Sequence, residues 1–469
     1  MEQEHLEWWR NAVIYQLYVR SFADSDGDGV GDIPGIVSRL DYLSWLGVDA
    51  IWCTAVNASS TYDYGYDVTD YRAIDPSLGT MEDFDRLIVG AGRHGIRVLI
   101  DLVPNHTSIE HPWFTSPRTR RSYYIWADRP NNWVSTLHLP AWSYDEGEGS
   151  YYLHSYLPQQ PDLNWWNEDV RAEFDDILAF WFDRGVAGFR IDACYVILKD
   201  RQLRDNPVAR KGDHMWDLNR GQRPVHSAHQ PEVHDILRRW RAAAERYQPP
   251  RLLMGATWVP DPVDLAAYYG KGDELQLPQY FQLLFSPFDA DALRAGAETW
   301  LESLGPHDTP VWLGSNHDLS RFPTRWCDGD DRKTRLALAM LLTLPGACVL
   351  YQGDEFGMED TVVPVTRQRD QAPWPRDASR TPIPWERDPL GGFTTGEPWL
   401  PLGDTDRNIA DQAADPESVL NWTRKLISVK KRLTGPYTPL SAPDGHWRYQ
   451  RGDVTVDLDF ARSAVRIDG

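Results

Sequence analysis

Four stretches of this 469-residue sequence end an apolar run at a point where a barrel or sheet does chemistry. "IRVLIDLVPNH" carries Asp101, Asn105 and His106. "VAGFRIDA" carries Arg190 and Asp192, "VWLGSNHD" ends in Asn316, His317 and Asp318, and "RLLMGAT" ends in Ala256 and Thr257. Two carboxylates, an Arg and two His suit a site where positive charge develops on a sugar ring. Arg190 lies two residues before Asp192, on the same face of a strand, and keeps that carboxylate ionised and oriented as a nucleophile must be. His106 and His317 are expected to donate to sugar hydroxyls. Such a site also needs a neutral carboxylic acid to protonate the leaving oxygen. At the remaining strand end the sequence offers only the methyl group of Ala256. One Asp at a strand end is usually a cap or an ion-pair partner, but three polar strand ends in one sheet are hard to explain that way.

Residues so far apart meet only if the strands lie side by side. Apolar strand candidates at 13–22, 48–55, 96–103, 186–193, 251–257, 275–285, 311–318 and 347–353 alternate with amphipathic helix candidates. In the helix expected over 231–247, Val233, Leu237, Trp240, Ala244 and Tyr247 share one face. This alternation predicts a parallel sheet, and eight strands fit a closed (β/α)8 TIM barrel with its chemistry at the carboxyl ends of the strands. A doubly wound sheet would show a Gly-rich phosphate loop after the first strand, and there is none. The aromatic and Pro-rich stretch 104–161 is too long for an ordinary loop and reads as a small inserted domain after strand 3. The barrel then comprises 1–103 and 162–434. Residues 360–415 read as irregular, a helix follows, and the period-two tail 435–469 reads as a small C-terminal β domain.

A formal net charge of -21 argues against nucleic acid or an anionic membrane as partner. The charged N-terminus has no apolar signal core, and no apolar run is long enough to span a bilayer. Cys53, Cys194, Cys327 and Cys348 follow no metal spacing, which points to reduced thiols in a cytoplasmic protein. The 22 Trp and 21 Tyr supply amphipathic rings of the kind that stack on sugar faces, though most such residues pack cores.

"DLVPNH", "GFRIDA" and "SNHD" resemble the signature regions of the α-amylase superfamily, glycoside hydrolase family 13. "QPDLN", "YDYGYDVTDY", "DSDGDGVGD" and "SRTPIPW" resemble its oligo-1,6-glucosidase, α-glucosidase and trehalose synthase branch, and the likeness runs over nearly the whole chain. The resemblance implies a retaining exo-acting α-glucosidase on short α-linked glucose oligosaccharides. Asp192 matches the nucleophile, and Asp318 the carboxylate that holds sugar hydroxyls and stabilises the transition state. Arg190, His106 and His317 match substrate-site residues. Asp63 and Arg380 match a pair that closes the pocket beyond the terminal glucose, and Tyr66 the platform beneath it. Ala193 is associated in this branch with α-1,4 over α-1,6 linkages. "CTAVNASS" after the second strand and "LHLPAWSYDEGEGSYY" in the inserted domain depart from the usual pattern, which leaves acceptor preference open.

The family's acid/base glutamate falls on Ala256. That admits an enzyme whose acid was replaced or a natural sugar-binding protein, and the otherwise intact site favours replacement. Thr257 is no acid near neutral pH, and nearby Asp261 could in principle supply a proton, though nothing in the sequence supports its position. A transglycosylase or isomerase of the same branch is the alternative activity. "DSDGDGVGD" (24–32) alternates oxygens with turn glycines, as a hard cation prefers. Position twelve is Gly35, so it is not an EF-hand. The resemblance implies one calcium held by Asp24, Asp26, Asp28, the Val30 carbonyl and Asp32.

Overall fold

The computed structural model describes residues 7–116, 121–372 and 376–469. Eight strands form one parallel sheet: β1 Val13–Leu17, β2 Ala50–Cys53, β3 Arg97–Leu102, β4 Gly188–Ile191, β5 Leu252–Gly255, β6 Leu277–Pro278, β7 Val311–Leu313 and β8 Ala347–Tyr351. Hydrogen-bonded neighbours run β6-β5-β4-β3-β2-β1-β8-β7. The sheet therefore curls round in chain order, and β6 and β7 flank its seam. This is a (β/α)8 barrel. Nearly every strand residue is buried, as expected of strands covered on both faces. β6 is short for a covalent reason: Pro278 has no N–H to carry the ladder onward. The run expected over 13–22 also ends early, turning into a 3-10 turn at Val19–Ser21.

The outer helices follow from caps and apolar stripes. Met81–Arg93 opens with a capping box between Thr80 and Asp83. Glu168–Asp183 starts at the N-cap Asn167, and Asp331–Thr343 at Asp330. In Val233–Ala244 the face of Val233, Leu237, Trp240 and Ala244 is buried. Two helices follow β1, Ile33–Ser38 and Leu40–Leu46, separated at Arg39, whose guanidinium lies 4.2 Å over the Trp385 ring. The Tyr/Asp loop after β2 contains a two-stranded antiparallel ribbon, Asn57–Ser59 with Val68–Ile74, anchored by buried Val68, Tyr71 and Ile74. Among its described residues, the irregular segment 360–415 holds the α-helix Ile409–Ala414, capped by Asn408, and two 3-10 turns, Val365–Arg367 and Asp377–Ser379.

Between β3 and the helix Glu168–Asp183 lies a three-stranded antiparallel sheet of Trp126–Ala127, Ser150–Leu153 and Trp142–Asp145. It has its own apolar cluster of Ile125, Trp133, Ala141, Trp142 and Leu153. A four-stranded antiparallel sheet, Tyr437–Pro439 through Ala464–Asp468, closes the chain, and its Trp447, Tyr449, Val456 and Leu458 join the main core. All four cysteines are buried and unpaired. Among the described residues, no helix is long and apolar enough to cross a membrane.

Candidate active site

Alternation along β4 turns both Arg190 and Asp192 toward the barrel axis. The Arg190 guanidinium donates to Asp192 Oδ1 at 2.7 Å and lies 3.5 Å from Asp101 on β3. Asp101 is a hub: it also accepts from Trp52 Nε1 (3.0 Å), the Ala55 N–H (3.0 Å) and the Tyr66 hydroxyl (2.6 Å). Burial raises the Asp192 carboxyl to about 6, and Arg190 opposes that shift. Asp192 is therefore ionised near neutral pH. Directly after it, Ala193 sits at φ +46°, a left-handed angle costly for a residue with a Cβ, and turns the chain away at the strand's end.

His317 is locked into one orientation. Gln16 Nε2 donates to its Nδ1 at 2.7 Å, and its Nε2 meets the Tyr66 hydroxyl at 2.7 Å. Since Tyr66 donates to Asp101, the ordered chain reads Gln16 to His317 to Tyr66 to Asp101. Burial pushes His317 down to about 3, so the ring is neutral, as this chain requires. His106 is also buried and held below its usual range; its Nε2 contacts the Tyr66 carbonyl (2.9 Å) and its Nδ1 the Asn105 amide (3.1 Å). Both rings line the cavity, each with protein partners on its nitrogens.

The pairing expected at the pocket's blind end is also corrected. Asp63 pairs with Arg376 at 2.7 Å, not with Arg380. Arg376 additionally reaches Asp370 (2.7 Å) and Asp318 (3.1 Å). Arg380 is held elsewhere: its Nε donates to the His317 carbonyl at 2.7 Å, its head lies 5.3 Å over the Tyr18 ring, and it touches Asp318 at 3.2 Å. Burial alone would raise Asp318, but His317, Arg376 and Arg380 together keep its carboxyl far below the ordinary range. Gln160 of "QPDLN" completes this end, donating to Asp63 at 3.1 Å.

Ala256 continues β5. Its N–H donates to the Ile191 carbonyl at 2.9 Å, one step beyond the Met254–Arg190 and Gly255–Ile191 pairs, so it stands beside Asp192 on the neighbouring strand. Ala256 packs with inward-facing Met254 and Leu252. Neighbouring strands lie about 4.8 Å apart, and retaining glycosidases hold their two carboxyl groups about 5–5.5 Å apart. At 256 this chain presents a methyl group. The Asp261 side chain caps the helix Pro262–Ala266.

These groups surround a cavity of about 580 Å³, whose floor includes Asp63, Tyr66, His106, Asp192, His317 and Asp318. Sequence reasoning missed Arg376, Gln16 and the mouth residues Trp216, Trp258 and Phe285. A signal existed for Gln16, the one amide inside the apolar run "VIYQLYV".

Away from the cavity, the carboxylates of Asp24, Asp26 and Asp28 converge with oxygens within 4.8 Å of one another. Asp32 stands apart from this cluster. One of its oxygens caps Gly35 N at 2.6 Å and the other accepts from Ser25, so it serves as the N-cap of Ile33–Ser38. Val30 meets the loop through its N–H, which donates to Asp28 at 2.7 Å. Three carboxylates on a glycine-turned loop fit a hard cation.

A parallel barrel with a buried strand-end carboxylate clamped by Arg190, at the floor of a blind pocket, has the fold and site geometry of a glycosidase. Residues 16–435 match the family model "Alpha amylase, catalytic domain", and the chain belongs to that family, glycoside hydrolase family 13. A probable alpha-glucosidase of Rhizobium meliloti is 37% identical over 455 residues, covering 91% of this chain and 83% of that protein. A glucan 1,6-alpha-glucosidase of Streptococcus pneumoniae is 36% identical, covering 99% of this chain and 94% of its own. Among solved structures, the alpha-glucosyl transfer enzyme XgtA matches with a TM-score of 0.90 at 37% identity, covering 96% of this chain and 90% of that one.

Proposed function

We propose that the chain has the framework of a retaining, exo-acting α-glucosidase for short α-linked glucose oligosaccharides, with the acid/base position emptied at Ala256. The observation that carries this is the pairing across β4 and β5: an ionised Asp192 held by Arg190, with Ala256 in register beside it. Asp192 attacks the anomeric carbon and forms a β-glycosyl intermediate. Asp318, its charge fixed by Arg376 and Arg380, takes sugar hydroxyls and stabilises the oxocarbenium-like transition state. The pair Asp63–Arg376 stops the donor sugar at the blind end, which makes the action exo. An acid at 256 would protonate the leaving oxygen and then activate water; with Ala256 neither step has its group.

The likeness to a glucosyl transfer enzyme supports a second reading, in which the intermediate passes to a sugar or other hydroxyl instead of water. A sugar-binding protein without catalysis is the third. The clustered Asp24, Asp26 and Asp28 support one structural calcium. Four unpaired, buried cysteines support a reducing, cytoplasmic setting. Product analysis of an Ala256→Glu protein on a panel of α-linked disaccharides tests the function. Glucose released with retained configuration supports hydrolysis, longer or rearranged sugars support transfer, and no product supports the binding protein.

A further inference from the structure

Behind His106 lies a buried cluster that no step of the proposed chemistry uses: Asn105, Asp162 and Lys199. All three side chains belong to residues at most 1% exposed. Asn105 and Asp162 bracket the segment that carries the three-stranded sheet. They lie side by side, with an antiparallel bridge from His106 to Asp162 and the Leu163 N–H donating to the Asn105 carbonyl at 2.9 Å. Lys199 arrives from the long connection after β4, its carbonyl held by Trp166 Nε1 at 2.9 Å. Its ammonium pairs with Asp162 Oδ2 at 2.7 Å and donates to Asn105 Oδ1. Burial pushes the ammonium below its ordinary range, and the Asp162 carboxylate opposes that shift.

The cluster admits one arrangement of protons. An ammonium only donates, and a carboxylate only accepts. The Asn105 amide therefore turns its oxygen to Lys199 and its nitrogen to Asp162 Oδ1, 2.9 Å away. The second N–H of that nitrogen meets His106 Nδ1 at 3.1 Å. Nδ1 is then the accepting nitrogen of a neutral ring, and the ring proton sits on Nε2, where it faces the Tyr66 carbonyl at 2.9 Å. Turning the amide over would set its N–H groups against the ammonium and its oxygen against the carboxylate. It would also draw the ring proton to Nδ1 and leave a lone pair on Nε2 facing the Tyr66 carbonyl. His106 borders the cavity with Asp63, Tyr66 and Asp192, so the tautomer decides whether the ring offers the floor a donor or an acceptor.

We propose that Lys199 is a positioning residue: acting through the Asn105 amide, it fixes His106 as the Nε2–H tautomer, a hydrogen-bond donor at the floor of the pocket. This rests on the reading that the donor glucose occupies that floor, where a sugar hydroxyl shares the Nε2 proton with the Tyr66 carbonyl. Lys199 acts at one remove, and Asp162 shares the task by holding the amide nitrogen. In Lys199→Met the stranded Asp162 takes up a proton, and in Lys199→Met/Asp162→Asn the new amide is free to turn. Either change removes the pair of opposite charges that sets the face of Asn105.

The test compares the Ala256 protein with both variants at neutral pH; the double variant leaves no buried carboxylate stranded and guards against a single variant that does not fold. Long-range proton–nitrogen spectra of histidine-labelled protein report the tautomer, and loss of signals in His106→Gln assigns the ring. The parent should show a protonated Nε2 and an unprotonated Nδ1. In the folded variants the two nitrogen signals should move toward each other as tautomers mix, and calorimetric affinity for methyl α-glucoside should fall about tenfold. A merely structural lysine would lower the melting temperature and move neither reading. A ring still locked as Nε2–H in the folded double variant, sugar affinity undiminished while the tautomers mix, or a parent ring protonated on Nδ1 overturns the proposal. Absence of methyl α-glucoside binding in every protein, the parent included, overturns the glucosidase reading instead, since the tautomer is read without sugar.

Discussion

Replacing Arg376 by Ala would remove a guanidinium that reaches Asp63 and Asp370 at 2.7 Å and Asp318 at 3.1 Å. Three carboxylates would then share a nearly dry site. Asp63 would keep the Gln160 amide at 3.1 Å, and Asp318 would keep Arg380 at 3.2 Å. Asp370, whose side chain is 3% exposed, would keep backbone N–H groups such as that of residue 376 at 3.0 Å. Removing one partner of a buried ion pair costs about 3–5 kcal/mol. The surviving partners and the open mouth place Arg376→Ala near the lower end, about 3 kcal/mol of folding stability. Because Asp63 and Asp318 also lose their fixed orientation, maltose affinity should fall about 100-fold, or about 2.8 kcal/mol. Urea unfolding and calorimetric titration of maltose, both on the Ala256 protein, read the two effects. A double-mutant cycle should couple Asp63 to Arg376 by more than about 1 kcal/mol, and to Arg380 by less. Maltose binding undiminished in Arg376→Ala, or stronger coupling of Asp63 to Arg380, would refute this account of the blind end.

Three further outcomes are expected. The burst of phenol released from an activated aryl α-glucoside should speed up as pH rises through about 6, where buried Asp192 loses its proton, and then level off; a rate that falls across that window would contradict an ionised nucleophile. Calcium should raise the melting temperature and a chelator lower it, with Asp28→Ala abolishing the difference, since the ion binds only the folded loop; an unchanged melting curve together with no metal by elemental analysis removes the site. Ala256→Glu should accelerate cleavage of natural disaccharides by roughly 10²- to 10⁴-fold, and product assay on maltose would show whether it does.

Much of the floor was legible because its residues interrupt apolar runs. Arg190 and Asp192 stand two apart on a strand, and Asn316 to Asp318 follow β7, so their convergence needed only the barrel topology. Asp63 could be named, but not its partner. Arg376 and Arg380 are four residues apart in a segment without periodicity, and only the tertiary path, which pins Arg380 to the His317 carbonyl, frees Arg376 for Asp63. Asp32, the last acid in the alternation of "DSDGDGVGD", also caps the helix Ile33–Ser38. Nothing local in the sequence revealed that Gln16 and Asn105 reach the Nδ1 atoms of the two histidines. Short β6 and the ribbon after β2 were set by Pro278 and by burial of Val68, Tyr71 and Ile74, not by propensity alone.

The central claim, a working nucleophile beside an emptied acid/base position, is tested most directly by azide. An aryl α-glucoside with a good leaving group needs no protonation, so Asp192 should be glycosylated and the intermediate should persist for want of a base. Azide needs no base and fits the room left at Ala256. It should raise steady-state turnover and give the α-glycosyl azide, since two inversions retain configuration, and Asp192→Ala should abolish the effect. If neither azide nor Ala256→Glu increases turnover of that substrate, Asp192 is not a nucleophile awaiting its partner, and the chain is a binding protein.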